Sequence, residues 1–147
     1  MTRQDHEPPP ATRRWGWRYH HTGVPTVERR DGERYLPQFK TYVSGFPDSP
    51  YGIEWMRFET DSPIPEVVRT VPHVAFEVDD LDEALEGKDI LSPPGSPSPG
   101  VRAAMIIDHG CPIELIQFRR DEGVARSCAP SNPRRKATTR GGRGSGS

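Results

Sequence analysis

The chain has little of what marks several large protein classes. No stretch of its 147 residues approaches the roughly 20 apolar residues of a membrane span. Residues 1–14 hold Pro8-Pro9-Pro10 and no large apolar side chain after Met1. They lack the apolar centre of a secretory signal and read as a disordered leader with too little to bury. Cysteine is nearly absent: Cys111, at the start of a strand, and Cys128 read as reduced, inert thiols without a neighbour that marks a nucleophile. A soluble, cytoplasmic protein with no membrane partner is therefore expected.

The apolar share, 32%, is also low, but the deficit is local. From Arg119 onward eight Arg or Lys face only Asp121 and Glu122, a net of +6, whereas residues 1–118 carry 12 basic and 19 acidic residues, a net of −7. A basic, glycine-rich tail, 120–147, follows an acidic body. Its Arg134-Arg135-Lys136 run attracts phosphate without selectivity, and a solvated, disordered tail is the commoner role, so nucleic acid is not the expected partner.

Within the body, 15–119, two stretches match each other. One opens at Pro72-His73-Val74-Ala75-Phe76-Glu77-Val78 and closes at Pro112-Ile113-Glu114-Leu115-Ile116-Gln117-Phe118; the other opens at His20-His21-Thr22-Gly23-Val24-Pro25 and closes at Gly52-Ile53-Glu54-Trp55-Met56-Arg57-Phe58. Each begins with a histidine strand and ends with a glutamate strand. Alternation puts His73, Ala75 and Glu77 on one face and Val74, Phe76 and Val78 on the other. Glu114 shares a face with Ile116 and Phe118, as Glu54 does with Met56 and Phe58. A charge in an apolar row needs a cation, a donor or water. A lone strand histidine or glutamate is usually structural or solvated, but four in duplicated positions point to one metal ion held by two histidines and two glutamates. Alternation also sends His20 and His21 to opposite faces. Register with His73 selects His21, because each has a small residue two places on, and leaves His20 at the rim.

In order, Trp15–Thr26 reads as a strand, and 27–39, with Arg29-Arg30-Asp31-Gly32 and Pro37, leaves space for one helical turn at most. Residues 40–44 read as a strand, 45–51 as a turn before the Glu54 strand, and 59–72, with three prolines, as the connector. The second stretch has a capping box at Asp80-Leu81-Asp82-Glu83, with Gly87 to end the helix. A short strand over 88–91, a proline-rich surface loop over 92–100, a strand over 101–108, a tight turn at Asp108-His109-Gly110 and the closing strand follow. His109 reads as a turn residue. His21 and Glu54 are 33 residues apart, His73 and Glu114 are 41 apart; the first copy has lost most of its helix.

These residues resemble the vicinal oxygen chelate superfamily, which includes glyoxalase I, methylmalonyl-CoA epimerase, extradiol dioxygenases and bleomycin-resistance proteins. The resemblance covers about residues 17–119 and is most specific from His73 through Asp80-Leu81, at Gly100-Val101-Arg102 and at Pro112-Ile113-Glu114-Leu115. It implies an α+β fold of two βαβββ modules, about 17–60 and 70–119, whose strands form a curved mixed sheet around a cup-shaped metal site, the first module with a shortened helix. It places metal ligands at His21, Glu54, His73 and Glu114. Mixed imidazole and carboxylate ligation suits Zn, Ni, Co, Mn or Fe(II), and six-coordination leaves two positions for water or a chelating substrate.

The activity this implies is a glyoxalase- or epimerase-type lyase or isomerase working on a small molecule by metal-stabilised enediolate proton transfer, with Glu54 and Glu114 as candidate acid and base, unranked. An extradiol-type dioxygenase needs only two histidines and one carboxylate, so the fourth ligand counts against it. A different class is a metal-free drug-binding protein of bleomycin-resistance type, with Trp15, Trp17, Trp55, Tyr51 and Phe58 lining an apolar cleft. Given the small core of about 100 ordered residues, a homodimer is expected, with the cup closed within one chain or across two.

Overall fold

The computed structural model describes residues 2–119; the tail expected over 120–147, with Cys128 and the Arg134-Arg135-Lys136 run, lies outside them. Eight strands form one sheet: β1 Arg18–Pro25, β2 Arg34–Leu36, β3 Thr41–Ser44, β4 Ile53–Phe58, β5 His73–Glu77, β6 Ile90–Ser98, β7 Val101–Asp108 and β8 Cys111–Phe118. Their order across the sheet is β2-β3-β4-β1-β5-β8-β7-β6. The sequence of strands repeats about the β1–β5 junction. In each half the first strand runs parallel to the last, β1 with β4 and β5 with β8, and the two first strands meet antiparallel at the centre. This is a curled mixed sheet of the α+β class, built from two paired halves as the resemblance implies.

Three short α-helices and one 3-10 turn, Phe46–Asp48, complete the described chain: α1 Pro10–Arg13, α2 Glu66–Thr70 and α3 Leu81–Leu85. The Asp80 side chain accepts from the Glu83 amide, and the α3 N–H of Leu81 donates to Gln117 Oε1, so the first turn of α3 is satisfied from its own cap and from β8. α3 seats Leu81, Ala84 and Leu85 on Ala104, Ile106 and Leu115, with Val78 and Trp17 closing the cluster. That core lies on the outer face of the second half of the sheet. In the first half no helix lies between β1 and β2; the shortening anticipated from the spacing has gone to completion. The 27–33 loop takes the helix's place: Arg30 lies 4.7 Å over the Trp55 ring, and Glu33 accepts a bidentate pair from Arg57, which lies 4.2 Å over Tyr42.

Some segments differ from their sequence reading. Residues 27–39 hold a strand, β2, rather than a helical turn, and the 59–72 connector contains α2. Residues 1–14, expected as a leader, carry α1, whose Ala11 packs against the core. The supposed surface loop 92–100 is mostly strand. β6 runs from Ile90 through Pro93, Pro94 and Pro97 to Ser98, paired to β7 with three register shifts. It is an edge strand, where a residue without an N–H costs no ladder bond on the free side, and the shifts absorb the prolines. The turn at His109-Gly110 has φ of 52° and 81°, the two left-handed positions of a type I′ hairpin.

Candidate functional site

The register at the centre of the sheet brings the repeated residues together. On β1 and β5, Gly23 stands opposite His73 and Ala75 opposite His21; on the parallel neighbours, Gly23 stands beside Glu54 and Ala75 beside Glu114. Two rows result, Glu54–Gly23–His73 and His21–Ala75–Glu114, each with a small residue between its two functional ones. All four side chains project to the concave face. Gly23 is small for a steric reason. A Cβ there would lie 2.2 Å from His73 Cε1 and 2.8 Å from each ring nitrogen, so the imidazole occupies the space of the missing side chain. Ala75 is fully buried.

Glu114 is the hub. Its Oε1 is 3.2 Å from His73 Nε2 and 3.3 Å from His21 Nε2; Glu54 Oε1 is 3.7 Å from His21 Nε2, beyond hydrogen-bonding reach. Burial pushes the Glu114 carboxyl up, but the two imidazoles outweigh it and hold it down, to about 2. For His21 burial works against the charge, yet Glu114 and then Glu54 raise its pKa above the ordinary value. Burial raises Glu54, with the Glu114 charge adding to it and His21 opposing it. The two carboxylates thus differ: Glu114 is fixed in its ionised form by two donors, and Glu54 is the more readily protonated.

His20 is the residue that sequence reasoning set aside. The expectation that alternation would send it to the opposite face fails because β1 bulges there: Tyr19 pairs with Phe76 and His21 with Ala75, leaving His20 as the extra residue. A bulge breaks the period of two. His20 Nδ1 lies 2.7 Å from His21 Nδ1, with the His20 ring stacked on Phe46 at 5.1 Å and tilted against Phe118 at 5.4 Å. Burial, then the neighbouring His21, lowers the His20 pKa. When His21 offers the Nε2 lone pair to the site, its Nδ1 carries the proton and His20 Nδ1 accepts it. A basic residue next to the selected histidine was the available signal, and the bulge hid its use. His109 is exposed at its turn, bonded to Asp108.

The ligand atoms of His21, His73 and Glu114 all lie within 4.8 Å of one another. Atoms about 2.1 Å from a common ion at octahedral or tetrahedral angles are about 3.0 to 3.4 Å apart, so the 3.2 and 3.3 Å separations fit neighbouring ligands of one cation. The donor set, imidazole nitrogen with carboxylate oxygen, fits a first-row divalent metal. His73 Nδ1 is buried with no hydrogen-bond partner among the described residues. A ring held in place by Gly23 packing and directed through Nε2 to the cluster accounts for its position.

The cluster opens into a cavity of about 510 Å³, lined by residues of both halves, including Leu36, Phe39, Met56, Ile64, Val68 and Met105. Both modules of one chain build it. Gln38, after β2, donates to the Pro97 carbonyl of β6 at 3.0 Å, tying the two edges of the curled sheet across the cavity. Of the aromatics expected to line an apolar cleft, none lines this cavity, although Trp15 and Trp17 border a separate, polar recess beside α3. Trp17 is in the α3 core, Trp15 and Tyr51 are exposed, Trp55 lies under Arg30 on the convex face, and Phe58 is also outside the lining. Trp55 alternates with Glu54 and Met56, which takes it to the other side of the sheet.

The paired-module cup that carries the histidine–glutamate cluster has the architecture that the resemblance implies. No family model matches the sequence, and no curated protein does. Among solved structures, the hypothetical protein BH1468 of Bacillus halodurans is similar over 71% of this chain and 96% of its own, with a TM-score of 0.56 and 15% identity. A methylmalonyl-CoA epimerase of Mycobacterium tuberculosis aligns over 73% of this chain and 91% of its own, with a TM-score of 0.49 and 18% identity. The BH1468 likeness is one of fold.

Proposed function

We propose that this chain is a divalent-metal-dependent enzyme that moves a proton next to a carbonyl group, a lyase or isomerase of glyoxalase type. The observation that supports it most is the convergence of His21, His73 and Glu114, with Glu54 beside them, at the base of an otherwise apolar cavity. A bound cation supplies Lewis-acid stabilisation of the negative charge that develops on a substrate oxygen. Glu114, held by both imidazoles, is the fixed member of the set. Glu54 stands farther off and is the carboxylate with freedom to work as a base. It takes the proton from a hydroxyl-bearing carbon beside the carbonyl, and the C–H electron pair moves into the carbonyl system to give an enediolate; the hydroxyl proton passes to the former carbonyl oxygen, and the new carboxylic acid returns its proton to the former carbonyl carbon, so that a new carbonyl stands where the hydroxyl was and the carboxylate is restored. A single working carboxylate on one side of the substrate favours transfer between neighbouring carbons over inversion, which calls for donors on both faces.

The test is metal content of the purified protein by elemental analysis, for wild type and for a His73→Ala, Glu114→Ala double substitution shown to fold by circular dichroism. Near-stoichiometric metal in the wild type and its loss in the variant support the reading. No metal in the wild type after incubation with Ni, Co, Mn, Zn and Fe(II) removes it, and the apolar walls then favour the second reading, a metal-free binder of small molecules.

A further inference from the structure

We propose that the cavity takes a small substrate whose body is uncharged and apolar, with its polar groups confined to the end that meets the histidines and glutamates. This deepens the metal-dependent reading at the reacting end, while the walls carry the rest. Among the described lining residues the ionisable groups are His21, His73, Glu54 and Glu114, and no Lys or Arg is present.

Of the four uncharged polar residues in the wall, all but Ser92 are engaged with the protein itself. The Gln38 amide donates to the Pro97 carbonyl, the Thr41 hydroxyl to the Phe39 carbonyl, and the Ser96 hydroxyl to the Ser98 carbonyl. Apart from the Ser92 hydroxyl, what faces the ligand is mostly side-chain carbon, with Leu36, Phe39, Met56, Ile64, Val68 and Met105 in the wall. A volume of about 510 Å³ suits enclosure of a small molecule.

Charge balance points the same way. Two carboxylates offset a divalent cation, so a loaded centre has no positive charge to spare for a second anionic group on the ligand. Without the cation the two carboxylates repel one. A carboxylate or phosphate on the substrate's far end would be buried among apolar walls without a counter-ion, a placement that costs several kcal/mol.

The probes are two 1-phenylpropane-1,2-diones with the same pair of adjacent oxygens, one bearing a para-carboxylate and the other its methyl ester. Isothermal titration calorimetry is run on the full chain, metal-free and metal-loaded. The ester is expected to bind at least about tenfold more tightly in every form obtained. Equal or tighter binding of the carboxylate, or no binding of either, overturns the inference. A protein that takes up no metal but still prefers the ester loses the proposed function and keeps this inference; one that takes up metal and prefers the carboxylate does the reverse. Leu36→Arg, which puts a cation on the wall, should narrow or invert the preference, and an unchanged gap in the folded variant overturns the electrostatic reasoning.

Discussion

Replacing Gly23 by alanine tests the geometry of the site with one methyl group. Gly23 has a backbone conformation open to other residues: it is not among the positive-φ positions. On backbone entropy alone, alanine would then stabilise the chain by about 0.4–1 kcal/mol. The steric effect runs the other way. The new Cβ would sit 2.2 Å from His73 Cε1, whereas carbon atoms in contact sit about 3.5 Å apart. The ring must therefore move by more than an ångström, or β1 and β5 must separate. Overpacking of this kind costs about 1–3 kcal/mol. A metal bond tolerates about 0.2 Å, so the displaced imidazole should no longer complete the set. Urea unfolding of the metal-free protein should show the stability loss, and a chelator competition should show weakened metal uptake. In a His73→Ala background the ring is gone, and Gly23→Ala should cost close to nothing, giving a coupling energy of about 1–3 kcal/mol. Unchanged stability and metal uptake in Gly23→Ala, or the same cost in both backgrounds, would refute the account.

Other outcomes follow from the same geometry. His20→Phe keeps the packing on Phe46 and Phe118 but removes the acceptor for His21 Nδ1, so metal affinity should fall by about tenfold or more, while His20→Asn, with an oxygen near the same place, should recover part of it; equal affinities in chelator competition would dismiss the contact. Glu114 has a folded pKa below its unfolded one, so its contribution to the metal-free protein is complete above the unfolded value and is lost as pH falls toward about 2. Its size is at most about 3 kcal/mol, and Glu114→Gln should flatten that limb of stability against pH in acid titrations followed by circular dichroism. Leu85→Ala removes a buried contact between α3 and the sheet and should cost about 2–4 kcal/mol in urea unfolding with metal uptake retained; loss of metal uptake in the folded variant would mean that α3 does more than cover the outer face.

What could be read from the sequence was what period and repetition carry. The two histidine strands, the two glutamate strands and the small residue two places after each histidine singled out His21, Glu54, His73 and Glu114, which the register of β1, β4, β5 and β8 brings to one face. The capped helix after His73 was legible because Asp80 and Glu83 mark its first turn. What escaped depended on partners remote in sequence. The bulge at His20 exists only against β5, and the proline-rich strand only because it has a free edge. Trp55 reads as a possible cleft residue until its neighbours in alternation, Glu54 and Met56, are known to face the cavity.

The two halves differ in a way that explains how one could lose its helix without losing the site. In this sheet, helix packing and the candidate ligands use opposite faces. α3 covers Ala104, Ile106 and Leu115 on the convex side, while Glu114, next to Leu115, projects to the concave side. In the first half the convex side is covered by a charged loop, with Arg30 over Trp55 and Arg57 between Tyr42 and Glu33. Glu54 still projects inward because its direction is set by the β1–β4 register, which the loop leaves intact. The concave side, in contrast, tolerates little exchange between halves. Ala75 coexists with His21, next to the register shift in β1; the pairing of β5 is regular opposite Gly23, and there only the absence of a Cβ makes room for His73. The repeat is therefore loose on the face that packs and strict on the face that carries the histidines and glutamates.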